Sequence, residues 1–310
     1  MDDLYDPELL RLTRGAILRI RRRLRTGSPT LSAHVADWMQ SLSGRAPPER
    51  YFTHPQAFPM LLLPWWLEFA IRGSVTRAFQ REVVYSTVCG YYFVRLIDDE
   101  MDAAPPPPPE LLPALIVLHA EFQHAYQRYF PHEHPFWEAL LSASYEAAET
   151  ASIDARVRQI DRTEFLRVSS RKIAGAKVPI AAVCHHYREP GLIEPWTMLV
   201  QALGRWHQMR NDIFDWRRDL ERGTATYFLS EASRRGVPAG SVTEWVIAEG
   251  LGWARGELDV WMEDLLAAAR SLDSVPLSTY LGQRRRTLEN DWRALNATFA
   301  SLRRLASLLG

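Results

Sequence analysis

The sequence predicts an all-α protein, a single domain over 1–310 formed by a barrel or bundle of about ten helices. Three observations predict this. Apolar residues recur at three- and four-residue spacing along nearly the whole chain, no stretch alternates apolar and polar as a half-buried strand does, and helix-starting and helix-breaking residues bracket the apolar stripes. With 310 residues, 47% apolar and 24% charged, the composition is that of a globular protein.

The elements follow in order. Asp6-Pro7-Glu8 is a start signal, an N-cap acid followed by proline and an acid in the first turn, and Leu9, Leu10, Leu12, Ile17, Ile20 and Leu24 continue at helical spacing. A second helix is expected from Ser32 to Leu42, then a Pro-, Gly- and charge-rich loop over 44–55, and short helical pieces around Pro59 and Pro64. Thr76 to Asp102 reads as one long helix carrying Val83, Val84, Val88, Tyr91, Tyr92, Leu96 and Ile97, which the prolines 105–109 must end. Helices are then expected at 111–130, 135–160, 162–187, 192–222, 241–270 and 277–308. Residues 1–57 are expected to pack outside the core that carries the chemistry.

Charge and cysteine content exclude several classes. Lys+Arg and Asp+Glu both number 37, so no excess cation favours generic nucleic-acid binding. Two cysteines build no disulfide framework, and MDDLYDPELL lacks the apolar region of a signal peptide, so a cytoplasmic protein is expected. The apolar run Met60 to Leu67 is too short to span a bilayer. No G-x-G-x-x-G, P-loop or fixed-period repeat is present.

Two acidic clusters carry the chemistry. In Arg95-Leu96-Ile97-Asp98-Asp99-Glu100-Met101-Asp102, Asp98 and Asp102 are four residues apart and Asp99 and Asp102 three, so their carboxylates share a helix face. Like charges there repel, and the helix C-terminus is itself negative, so a hard divalent cation such as Mg2+, with phosphate, would offset the cost. A solvated acidic helix end would show the same residues. The second cluster, from Gln208 to Asp219, places Asn211, Asp215 and Asp219 at i, i+4 and i+8, with Asp212 beside them and Arg210, Arg217 and Arg218 interleaved. Salt bridging along an exposed helix is the plain alternative.

With these paired motifs the sequence resembles the class I isoprenoid synthase superfamily over about residues 75–300. The superfamily holds terpene cyclases, chain-elongating prenyl diphosphate synthases and head-to-head squalene and phytoene synthases. The resemblance implies a central active-site cavity and a trinuclear Mg2+–diphosphate site, Mn2+ being a substitute. Asp98, Asp99 and Asp102 would bind metal on one wall, and Asn211, Asp212, Asp215 and Asp219 on the other. It places diphosphate binding at Arg167, Arg171 and Lys172, with Arg218, Tyr280 and Arg285 as further candidates.

On this resemblance the leading expectation is a terpene synthase, a lyase that ionises a farnesyl- or geranylgeranyl-class diphosphate and cyclises or quenches the cation. The second expectation is a prenyltransferase, head-to-head rather than chain-elongating. No Gly-Lys-Arg-type element is found, and no Arg-Arg-Gly follows Asp102. The third is a non-catalytic interaction protein with this fold. A homodimer is expected from the resemblance alone.

A cation-forming site needs an apolar wall and aromatic faces, and the chain holds 11 Trp, 11 Tyr and 12 Phe. Tyr91, Tyr92, Phe93 and Trp206 lie one to two turns before the acidic clusters and are candidate cavity aromatics, although packing in the core would use such residues equally. The basic run from Arg19 to Arg25 is a solvated face, a contact with an anionic membrane surface or a cover over the active site. His132, His134, His185 and His186 lack zinc-ligand spacing, and Cys184 beside His185 does not form a nucleophile pair.

Overall fold

Asp6 does cap the first helix: its carboxylate accepts from the Glu8 backbone N–H at 2.7 Å, with Pro7 at the first helical position. A computed structural model describes residues 4–44, 46–54, 56–102, 106–154 and 159–309, with backbone alone at 102, 154 and 299–309. Every regular element among the described residues is helical. In chain order they are α1 (Pro7–Gly27), α2 (Pro29–Leu42), the short α3 (Arg50–Thr53), α4 (Leu62–Arg72), α5 (Arg77–Asp102), α6 (Pro113–His124), α7 (Phe136–Asp154), α8 (Arg162–Lys172), α9 (Lys177–Tyr187), α10 (Ile193–Arg222), α11 (Tyr227–Arg234), α12 (Val242–Trp245), α13 (Leu251–Ser271) and α14 (Val275–Leu309). Val246–Gly250 winds as a π-helix, so α12 and α13 are one interrupted rod.

Two helices organise the packing. α5 packs against α1, α6 and α9, and α10 packs against α8, α9, α11 and α13. The start of α5 is held from outside itself. The buried Glu68 carboxylate on α4 accepts from the Thr76 N–H at 2.6 Å, from Gln80 Nε2 at 2.7 Å and from the Tyr187 hydroxyl of α9. One acid thus satisfies an orphan N–H of α5 and ties α4, α5 and α9 together. α10, at 30 residues about 45 Å long, ends where Gly223 turns left-handed at φ 67° and the Thr224 N–H reaches the Asp219 carbonyl at 2.9 Å.

The helix expected over 111–130 ends at His124, and two further departures from the sequence reading bear on the site. The expected helix over 162–187 is two: α8 stops at Lys172, a 3-10 turn runs through Ala174–Ala176, and α9 restarts at Lys177. Pro179 accounts for the break, since within a continuous helix it would lack the N–H that bonds to the residue-175 carbonyl and would clash with that turn. The second departure is α11, whose eight residues are too few for a periodic signal. It is started by the Thr226 hydroxyl accepting from Leu229 N–H at 3.2 Å, and it buries Tyr227 and Phe228.

α8 crosses α10 closely because Gly204 has no side chain. A Cβ there would stand 2.6 Å from Ile173 Cγ1 and 3.2 Å from the Ser169 carbonyl oxygen. The isoleucine has some freedom to move, but the backbone carbonyl has little. A Gly204→Ala variant is therefore expected to melt lower by roughly 2–6 °C, despite alanine's better helix propensity, because overpacking costs about 1–3 kcal/mol. An unchanged or raised melting temperature by calorimetry would remove this account of the crossing.

Candidate active site

The first acidic cluster occupies the C-terminal end of α5, beneath the N-terminal helices. Asp99 is buried; its Oδ2 accepts from Trp38 Nε1 of α2 at 3.1 Å, and its Oδ1 lies 2.5 Å from the Arg95 guanidinium one turn earlier. Asp98 is exposed. Asp102 is the last residue of α5, and its side chain lies outside the described residues. The aromatics just upstream pack toward α2, α3 and α6. The buried ring of Tyr92 meets Trp38 at 5.5 Å and Phe52 at 5.1 Å, Tyr91 meets Tyr51 and Phe52 edge-on at 5.5 and 5.4 Å, and Phe93 meets His119 of α6 at 5.1 Å.

The second cluster uses several faces of α10. One face carries Asp212, fully within the protein, which accepts from Gln208 Nε2 at 2.8 Å and from the Tyr227 backbone N–H that opens α11. Burial pushes the Asp212 carboxyl up to about 7; the Asp219 charge adds to the rise, while the Gln208 hydrogen bond and the Lys172 charge oppose it. Lys172 is the last residue of α8, and the close crossing at Gly204 brings that end of α8 to this face. Asp219, also raised by burial, is within the field of Asp215. Arg218 answers both, at 2.7 Å from Asp215 and 3.9 Å from Asp219. Asn211 is half-buried on the adjoining face, one turn beyond His207, whose ring meets Phe58 at 5.8 Å.

The opposite face of α10 is cationic and buried. Arg210 pairs with Asp291 of α14 at 2.7 Å, and Arg284 of α14 lies over the Trp206 ring at 5.4 Å. Desolvation and these two guanidiniums hold the His207 imidazole down at about 3, so it is neutral at any ordinary pH. Trp206 is thus packed under α14 and fully buried.

The expected site residues divide accordingly. Asp212, Asp215, Asp219, Arg218 and Lys172 come together at the α8–α10–α11 corner. Arg167 is taken by Glu164 at 3.8 Å, Arg171 lies 3.9 Å from Glu146 of α7, and Arg285 is bound outward to Glu263 at 2.7 Å and Glu289 at 3.8 Å. Tyr280 is buried against Trp66 at 5.5 Å and lines a cavity of about 190 Å³ with Tyr5, Arg14, Gln283 and Arg284. No residue of either acidic motif lines that cavity. The sequence reading gave Gln208 no role, although it stands four residues before Asp212 on the same helix face; Arg284 lies in the same basic run as the candidates Tyr280 and Arg285, and Asp291 had no local signal.

The donors on this corner are those a hard cation takes, carboxylate and amide oxygens, with one buried carboxyl whose charge lacks full compensation. Among the described residues no group of three or more acids, histidines or cysteines is close enough to hold an ion alone. Mg2+ is ordinarily held by one or two carboxylates together with phosphate oxygens, and the Asp212–Asp219 pair with Lys172 alongside fits that mode.

No protein-family model matches the chain, and no curated protein matches it. Solved structures do. A geranylgeranyl pyrophosphate synthetase from the archaeon Geoglobus acetivorans superposes with a TM-score of 0.67 at 14% identity, over 88% of this chain and 97% of that one. A decaprenyl diphosphate synthase from Rhodobacter capsulatus superposes with a TM-score of 0.55 at 17% identity, over 84% and 96%. The chain therefore has the class I isoprenoid synthase fold, as the paired motifs implied. No described helix is long and apolar enough to cross a membrane.

Asp212 makes stability depend on pH in a definite direction. Its carboxyl sits above the 3.8 of an ordinary aspartate, so the fold favours its neutral form. That contribution is complete below about pH 4 and is lost as the pH rises through about 7. In chelator-treated protein, the stability of wild type relative to Asp212→Asn should fall by up to about 4 kcal/mol between pH 4 and pH 8. A flat difference across that range in urea titrations would show Asp212 ionised throughout.

Proposed function

We propose that this protein acts on prenyl diphosphates as a metal-dependent prenyltransferase. The observation that carries the reading is the corner where Asp212, Asp219 and Lys172 converge, on a fold shared with two solved prenyl diphosphate synthases. Asp212 and Asp219, with Asn211 and Asp215 beside them, would hold Mg2+ on the α10 wall; Asp98, Asp99 and Asp102 would do so on the α5 wall. Bound Mg2+ supplies electrostatic stabilisation of the departing diphosphate.

The chain's own part is positioning and charge. Lys172 would bring its positive charge to diphosphate oxygens from the end of a helix whose place is set by Gly204. Gln208 and the Tyr227 N–H orient the Asp212 carboxylate by two hydrogen bonds, so its oxygens are aimed before any ligand arrives. Arg218 lies between Asp215 and Asp219 and offsets these like charges, which would otherwise hold a cation. On the α5 wall Arg95 and Trp38 do the same for Asp99.

Coupling is favoured over cyclisation because both structural relatives are prenyl diphosphate synthases. That likeness also weighs against the preference for head-to-head coupling, which rested on the absent Gly-Lys-Arg and Arg-Arg-Gly elements. Those same absences, with the i, i+4, i+8 run of Asn211, Asp215 and Asp219, sustain terpene synthesis as the second reading.

Purified protein with Mg2+ should release diphosphate from geranyl, farnesyl or geranylgeranyl diphosphate when isopentenyl diphosphate is also present, giving a longer prenyl diphosphate. A volatile hydrocarbon from one substrate alone would establish the second reading, and no release under any condition would sink both. In whichever assay responds, Asp212→Ala and Lys172→Ala should each lower kcat/KM by about 10²-fold or more. Arg285→Ala and Arg167→Ala, whose side chains are bound outward, should stay within about threefold of wild type.

A further inference from the structure

The outer face of α1 carries a concentration of positive charge that the proposed reaction does not use. Between residues 11 and 25 stand Arg11, Arg14, Arg19, Arg21, Arg22, Arg23 and Arg25, with no acid among them, in a chain whose net charge is zero. Four are engaged: Arg11 with Glu8, Arg14 with Glu49 at 2.7 Å, Arg19 with Glu82 at 2.6 Å, and Arg23 with Glu121. Among the described residues Arg21, Arg22 and Arg25 make no ion pair, and all three are exposed.

The surroundings add to the excess. Glu82 is shared by Arg19, Arg81 at 3.1 Å and Arg128 at 3.8 Å. Arg19 also lies over the Tyr85 ring at 3.7 Å, and the Tyr85 hydroxyl donates to Glu121. Among the described residues, the ion pairs of Arg19, Arg23, Arg81 and Arg128 all run to Glu82 or Glu121, so four arginines share two acids beside Arg21, Arg22 and Arg25.

Shape matters as much as charge. α1 buries Leu9, Leu12, Ile17, Ile20 and Leu24, so it is pinned flat with Arg11, Arg14, Leu18, Arg21, Arg22 and Arg25 along the outer side. That row is straight and convex, about 21 Å long. At its centre Leu18 is 60% exposed. A convex row of arginines around a protruding leucine matches a plane that is anionic outside and apolar just beneath.

We propose that the outer face of α1 is a docking surface for an anionic lipid bilayer, with Arg21, Arg22 and Arg25 against the headgroups and Leu18 entering their boundary with the acyl chains. A nucleic acid would use the arginines but has no place for the leucine. Guanidinium groups on the convex side of a helix meet a flat headgroup layer together, each adding to the binding.

Full-length protein should be sedimented with vesicles of phosphatidylcholine, and with vesicles in which about a third of the lipid is phosphatidylserine. Binding is expected to the second alone and to weaken as salt rises. Replacing Arg21→Gln, Arg22→Gln and Arg25→Gln together should weaken it by about 10²-fold, and Leu18→Gln by a smaller factor that salt does not change. Circular dichroism and melting temperature should be unaltered, since none of the four side chains is buried. The proposal is overturned by absence of binding to phosphatidylserine vesicles at low salt, by equal binding to neutral vesicles, or by an unweakened triple variant. It is equally overturned if an RNA duplex competes the protein off the vesicles while Leu18→Gln binds as wild type, which would mark a polyanion partner.

Discussion

The crossing of α8 over α10 at Gly204 is the constraint on which the rest of the candidate site depends. It fixes the distance between two helices that each carry half of a charge pattern. Pro179 ends α8 in time for Lys172 to stand at a helix terminus, and the missing Cβ lets that terminus approach α10. The positive charge of this exposed side chain can then act on Asp212. A bulkier residue at 204 would separate a lysine from a carboxylate that it never touches in sequence. The geometry of the corner is thus set by packing, and its electrostatics follow.

α10 shows how much a single helix can be asked to do. Its 3.6-residue period distributes Gly204, Trp206, His207, Gln208, Arg210, Asn211 and Asp212 over faces that meet different neighbours. Trp206 and Arg210 anchor the helix to α14, His207 meets the loop before α4, and Gln208 and Asp212 face α8 and α11. The buried arginines and the buried acids sit on separate sides, so the helix body lies between unlike fields instead of mixing them. Burial favours the neutral form of both groups, raising Asp212 and depressing His207 within five residues of each other; the Asp219 charge adds to the first shift, and the Arg284 and Arg210 charges add to the second.

The architecture was legible because long helices announce themselves by period and by punctuation. Asp6-Pro7 at one end of α1 and Gly223 at the end of α10 mark boundaries that the structure reproduces. The break inside 162–187 was also written in the sequence, as Pro179, but the apolar period ran on through it and concealed the stop. α11 was too short to show any period. Within the site, local spacing was informative wherever both partners lay on one helix, as for Asp215 with Arg218 or Gln208 with Asp212. It was silent wherever the partner came from elsewhere. Trp38 with Asp99, Arg210 with Asp291 and Lys172 with Asp212 join positions 40 to 81 residues apart.

The hydrogen bond from Trp38 to Asp99 has a consequence for how such a chain can change. Tyr51, Phe52, Tyr91 and Tyr92 interlock around it, so the first fifty residues and the end of α5 form one fitted joint. An N-terminal segment taken from a relative would bring its own indole, or none, to a carboxylate shaped for this one. Recombination at the loop before α4 would therefore have to carry the matching turns of α5 along with it. The two stretches should drift together over evolutionary time, although some forty residues of sequence separate them.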